Sequence, residues 1–202
     1  MARRLKLSSV ELLALFTIGA AGGLIGDEGH VASGTTRYLA TGVPYIWKSQ
    51  LWFPLLVGGA TAALAELRLH LGGARAEGGA RAEGGAGEAV AAIAAVIGLY
   101  AVTALVRHSP LGPATAIVYA LAAIIAVRFA SGRAALACGA LAALAGCVTE
   151  SVMSAAGVFE YARGIDGLAG VAPWLPGLYF AFGVVAARLG ELCATWRPAP
   201  PP

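Results

Sequence analysis

Polar residues in this chain are confined to narrow gaps between long apolar runs. Continuous stretches rich in Ala, Leu, Val, Ile and Gly cover about 7–25, 50–70, 87–106, 111–129, 134–159 and 174–193. Each is close to the ~20 residues that an α-helix needs to cross the hydrocarbon core. A membrane β-barrel would alternate apolar and polar positions over segments of about ten residues, and these runs do not alternate. The pattern predicts an all-α fold, a polytopic membrane bundle of six transmembrane helices forming one domain over 1–197.

The gaps predict the connections. "GDEGHVASGTTRYLATGVPYIWKS" reads as a polar outer segment holding Asp27, Glu28 and His30, with Tyr45, Trp47 and Trp52 at the interface favoured by amphipathic rings. Pro54 then falls at a helix start, where its missing N–H costs little. "GGARAEGGARAEGGAGEA" repeats Gly, Ala and alternating charge and has nothing to bury, so 71–87 is expected to be a flexible cytoplasmic linker. "RHSPLGPAT" and "FASGRAA" are short turns that make helices three, four and five antiparallel neighbours. The proline-rich end is expected to be disordered over 198–202, with Trp196 at the inner interface. The first run resembles a signal sequence, but Glu11 interrupts it and no A-x-A site follows, so it is expected to remain as a helix.

Composition agrees: 58% of the 202 residues are hydrophobic and only 12% are charged, which no ordinary soluble domain shows. The net charge of +3 is less informative than its placement. With the N-terminus inside, Arg3, Arg4, Lys6, Arg68, Arg75, Arg81, Arg128, Arg133, Arg188 and Arg197 are cytoplasmic, against only Arg37, Lys48, Arg107 and Arg163 outside. The positive-inside rule therefore predicts that both termini are cytoplasmic. Cys138, Cys147 and Cys193 lie in apolar runs with no CxxC spacing and read as small apolar residues. His30, His70 and His108 are scattered, and the Asp27, Glu28, His30 group lacks metal-ligand spacing, so no metal is expected. No phosphate loop, nucleophile triad or nucleic-acid signature occurs, so neither enzyme chemistry nor nucleic-acid binding is expected.

One carboxylate stands out. Glu150, in "GCVTESVMSAAG", lies deep in the fifth run, where an ionisable side chain is costly and by default functional. At helical spacing Gly139, Ala143, Gly146, Glu150, Ser154 and Gly157 share one face, opposite Leu141, Val148, Val152 and Phe159. Small residues either let helices approach closely or leave room for a ligand. Glu150 can accordingly be polar glue, a contact for a ligand, or the coupling group of a proton pathway. A pathway needs a chain of ionisable groups, whereas Glu66, Arg68, Glu88, Arg128, Arg188 and Glu191 cluster near the inner ends, where they can snorkel. Arg188 and Glu191 are spaced to pair across one helical turn.

The last third, "GVFEYARGIDGLAGVAPWLPGLYFAFGVVAARLG", resembles the end of the insulin-induced gene (Insig) family. That family has an aromatic-x-Tyr stretch, a short loop, and a Trp-Leu-Pro helix with Phe, Gly-Val and a final Gly, matched here by Phe159, Tyr161, Trp174, Leu175, Pro176, Phe180, Gly183, Val184 and Gly190. "SQLWFPLLVGGATAALAEL" is similar to the family's Trp-x-Pro start of the second helix, and "GDE" to its Pro-Asp-Glu after the first. The resemblance implies a six-helix bundle with an intramembrane pocket for a sterol, and a regulatory role toward sterol-sensing-domain partners in the endoplasmic reticulum. A Gln lining that pocket in the family aligns with Glu150. The family's aspartate after a Phe, needed for the partner, is replaced by Ala130 in "RFASGR", so a sterol-sensing-domain partner is not expected.

The Ala-, Gly-, Arg- and Pro-rich composition is that of a GC-rich bacterium, which points to the bacterial plasma membrane and to a glycerolipid such as diacylglycerol, or an isoprenoid, as readily as a sterol. The expectation is a lipid-binding or sensor protein without a cofactor, its ligand touching Glu150, Ser154, Thr149, Gly146, Tyr179 and Phe180, between helices five and six and the first helices. The alternatives are a small proton-coupled transporter using Glu150 and a purely structural assembly partner. Small-residue faces on helices three and five also permit a homo-oligomer.

Overall fold

The computed structural model describes residues 6–71 and 85–195. The expected 71–87 linker falls mostly outside the described residues, and the tail and Trp196 fall wholly outside them. The helices are α1 (Ser9–Ser33), α2 (Trp52–Leu71), α3 (Ala86–Leu105, followed by a 3-10 turn Val106–His108), α4 (Leu111–Phe129), α5 (Arg133–Ala155) and α6 (Leu175–Thr195). Five of them are long and apolar enough to cross a membrane. The other is α2, whose end carries Glu66, Arg68 and His70.

Sequence explains the helix ends. Ser8 caps α1 in a reciprocal box: its backbone N–H donates to Glu11 Oε2 at 2.6 Å and its Oγ accepts from the Glu11 N–H at 3.3 Å. Gly34, at φ 70°, closes the helix. α1 therefore continues beyond the expected end near Ile25, and Asp27, Glu28 and His30 ride on the helix, not in a polar outer loop. Asp27 and His30 are buried. Their polarity misleads because each is satisfied by a partner distant in sequence. α5 stops at Ala155, short of the expected 159, and Gly157 turns the chain at φ 71°. Phe159 is consequently a buried strand residue and does not lie on the helix face opposite Glu150.

α6 is the central helix: 67% of its span is buried, against 22% for α1, α3 and α5. It packs on α2, α3, α4 and α5, and α1 packs mainly on α2. The main core gathers Leu178, Val185, Leu189 and Leu192 of α6 with Leu69, Leu99 and Val118. Close approach needs glycine at two α6 positions: a Cβ on Gly183 would lie 2.6 Å from the Cys138 carbonyl of α5, and one on Gly190 2.6 Å from the Ala65 carbonyl of α2. Outside, Val10, Val90, Leu105 and Val127 are 65–88% exposed, an apolar surface suited to acyl chains.

At the end away from the termini, β1 (Thr36–Tyr38) pairs antiparallel with β4 (Phe159–Tyr161), with Thr36 opposite Tyr161 and Tyr38 opposite Phe159. β2 (Tyr45–Ile46) and β3 (Ser49–Gln50) form a hairpin whose tip exposes Trp47. Trp52 is instead half-buried, edge-on to Tyr38 and Phe53. At the opposite end ionic side chains tie helices together. Arg68 pairs with Glu191 at 2.6 Å, and Arg188 reaches Glu88 at 2.9 Å and Glu191 at 3.0 Å. The Lys6 and Leu7 N–H groups donate to Glu66 at 2.6 and 2.9 Å.

Candidate functional site

α1, α2, α3 and α6 diverge around a cavity with about 650 Å³ of empty space. Gly22 and Gly23 of α1 supply its small-residue side, Val57 of α2 and Ile97 of α3 its flanks, and Phe182 and Val185 of α6 its back. The wall is apolar almost throughout, and Tyr179 brings a polar group to its edge. An apolar lining with few polar groups is that of small-molecule and lipid sites.

Beyond Tyr179 is the buried carboxylate. Glu150 is 6% exposed and accepts two phenol hydrogen bonds, from Tyr161 at 2.6 Å and from Tyr179. Glu150 does not line the large cavity. It faces a second, much smaller space under the β1–β4 ribbon, together with Asp27, His30, Thr36, Tyr38 and Tyr161. Phe53 and Tyr100 border both spaces. Asp27 accepts from the Tyr38 hydroxyl. Thr103 uses its only proton on the Tyr100 carbonyl at 2.6 Å, so His30 Nε2 must be the donor to Thr103 Oγ1 at 2.7 Å. Among the described residues neither Asp27 nor Glu150 makes an ion pair. In the ribbon, burial drives the Tyr38 and Tyr161 phenols well above their ordinary pKa, and the neighbouring Asp27 and Glu150 carboxylates add to it. Both phenols therefore stay protonated as donors.

The residues singled out from sequence separate. Glu150 lines the small space and Tyr179 the large one. Gly146 packs on the Tyr179 ring, where a Cβ would come within 2.6 Å. Ser154 donates to the Gly170 carbonyl at 3.3 Å, and half-buried Thr149 borders neither space. Phe180 covers Gly139 and also borders neither. The small-residue stripe of α5 thus seals against α6, and the hollow lies across α6 on the side of α1–α3. Sequence reading missed Tyr100 and Thr36 altogether, because their role depends on which helix and strand they meet.

No family model matches the chain. A curated protein of Mycolicibacterium vanbaalenii described as an INSIG protein homolog is 49% identical over 195 residues, covering 96% of this chain and 91% of that protein. The chain belongs to the Insig family. The crystal structure of MvINS, a mycobacterial Insig homolog from Mycobacterium vanbaalenii, superposes with a TM-score of 0.90 at 48% identity, covering 98% of this chain and all of that one. A second structure, of a cross-linked trimer of MvINS, gives a TM-score of 0.90 at 47% identity. Membership of the Insig family agrees with the Trp-Leu-Pro start of α6 and identifies the chain as an integral membrane protein. Among the described residues of this Insig chain, no group of three or more His, Cys, Asp or Glu converges as a metal site would require.

Proposed function

We propose that this Insig protein holds a membrane lipid in the cavity between α1, α2, α3 and α6, its polar end toward Tyr179 and Glu150, and acts as a lipid sensor without catalysis. The observation that carries this reading is the cavity itself, part-open between four helices, with an apolar wall and one polar edge. Water is an unfavourable occupant of such a wall, and a lipid tail entering it exchanges one hydrocarbon surrounding for another. Shape and dispersion then provide the affinity, and the few polar groups set orientation. A lipid with a single compact polar end meets the requirement, whether a diacylglycerol, a sterol or another single-headed amphiphile.

The bacterial plasma membrane is the proposed location, with both termini cytoplasmic, because Lys6, Arg68, Arg128, Arg133 and Arg188 gather at the end that carries the termini. Self-association is proposed by analogy with the cross-linked trimer of the relative. The missing aspartate at Ala130 argues against a sterol-sensing-domain partner.

Native mass spectrometry of the purified protein provides the test: one retained lipid per protomer is expected. Gly22→Leu should abolish retention, since a Cβ at Gly22 meets only Ile97, at 3.8 Å, and Gly22 lines the cavity that the added side chain would enter. Protein that purifies free of lipid would refute the reading. So would pH-driven flux in proteoliposomes that Glu150→Gln removes, which would make the protein a proton-coupled carrier.

A further inference from the structure

We infer that the small space under the β1–β4 ribbon binds a primary ammonium group, the cationic head of a single-chain amine whose tail occupies the large cavity. The inference rests on the lipid-binding reading above and adds the chemistry of the head group.

Alternation along the two strands builds the space. Thr36 and Tyr38 of β1 and Phe159 and Tyr161 of β4 point inward, whereas Arg37 and Glu160 lie across from each other on the outer side. The Arg37 guanidinium is bound to Glu160, with Nε donating at 3.0 Å, and is therefore not available to the interior. Inside, Asp27 is 4% exposed and Glu150 6%, both border the same space, and no cation of the described residues pairs with either. His30 Nε2 is already engaged by Thr103. An independent sign comes from Thr36, which is 9% exposed and lines the space, while its Oγ1 has no hydrogen-bond partner. Buried carboxylates without a counter-charge and a buried hydroxyl without a partner are each costly. Their convergence on one hollow suits an occupant that is positive and donates hydrogen bonds.

A primary ammonium meets that description. It has three donors and no acceptor, which suits Asp27, Glu150 and the Thr36 hydroxyl. The surrounding rings of Tyr38, Trp52, Phe159 and Tyr161 are compatible with a cation, which aromatic faces attract. Size selects further: the space has room for about one water-sized group, so –NH₃⁺ fits and a trimethylammonium does not. An alcohol offers one donor and no charge, and a phosphate would face two carboxylates. Phe53 and Tyr100 border both spaces, so a tail that runs from one into the other passes beside these rings.

The full-length protein in a non-ionic detergent is titrated with dodecylamine, dodecanol, dodecyltrimethylammonium and a lyso-phosphatidylethanolamine, with binding read by native mass spectrometry and melting temperature. Dodecylamine should bind one per protomer and about tenfold more tightly than dodecanol or the trimethylated amine, the worth of a charge-assisted hydrogen bond. Binding by the ethanolamine lipid as tight as that of dodecylamine would assign the head group to a phospholipid, whereas weaker binding assigns it to a simple amine. The preference of amine over alcohol should vanish in the Asp27→Asn, Glu150→Gln double variant. Thr36→Val is a separate check that does not risk the fold: loss of an orphan hydroxyl should leave the empty protein melting no lower, yet weaken dodecylamine. Equal binding of amine and alcohol, or a preference that survives the double substitution, overturns the inference and leaves a water as the occupant. If lipid is retained but no amine preference exists, only this inference falls. If no chain compound binds, the lipid-binding reading falls with it.

Discussion

At the scale of single residues, Glu150 tolerates an apolar helix because two phenols reach it, from Tyr161, 11 residues away, and from Tyr179, 29 residues away. Tyr161→Phe leaves the buried carboxylate one donor short and should cost about 1–3 kcal/mol, read as a lower melting temperature in detergent. Glu150→Gln, which can still accept from a phenol, should lose less than Glu150→Leu, which strands both hydroxyls. The ribbon phenols also predict an alkaline limit. Their folded pKa values lie above the unfolded value of about 10, so the stability they contribute is complete below that pH and is lost as pH rises through the folded values. The melting temperature should hold from neutral pH to about pH 9, fall beyond about pH 10, and fall less in Tyr161→Phe. Glu150 was legible in sequence because a carboxylate in a hydrophobic run is conspicuous. Its tyrosine partners were not, since a phenol near a membrane face has the same sequence signature whether it anchors at the interface or turns inward to a carboxylate.

At the scale of elements, neighbouring glycines of α1 do different work, and only packing separates them. A Cβ on Gly23 would fall 2.8 Å from Val57 Cβ, whereas Gly22 has open space on its cavity side. Gly23→Leu should therefore push α1 from α2 and lower yield and melting temperature, while Gly22→Leu keeps both and loses only bound lipid. Gly183→Leu, with a Cβ 2.6 Å from the Cys138 carbonyl, should separate α5 from α6 and abolish a monodisperse peak in size-exclusion chromatography. The exposed Arg37–Glu160 pair joins the two strands on the outer side. Arg37→Ala should change stability by no more than a few tenths of a kcal/mol, because water screens such pairs. The run lengths made all six helices legible. Their ends were legible where a cap is local, as at Ser8, and not where buried polar residues extend a helix, as at Asp27 and His30 of α1.

At the scale of the whole molecule, an apolar exterior and ends rich in charge orient the bundle. Cysteines introduced at Lys48 and at Ser131 should differ in labelling by an impermeant reagent applied to intact cells, Lys48 reacting and Ser131 not. The reverse pattern would invert the proposed topology. Sequence by itself determined the class of the protein: an all-α membrane bundle with a conspicuous buried acid and the residues of an Insig-like last helix. Run length, charge placement and local motifs are properties of contiguous residues, so they survive without knowledge of contacts. Tertiary structure alone decided where the hollow lies, because a stripe of small residues serves equally well to seal two helices or to line a cavity. Here the α5 stripe closed on α6, and the space opened among α1, α2, α3 and α6. The same packing brought Asp27 and Thr36 beside Glu150, a meeting of three separate elements that no local pattern records.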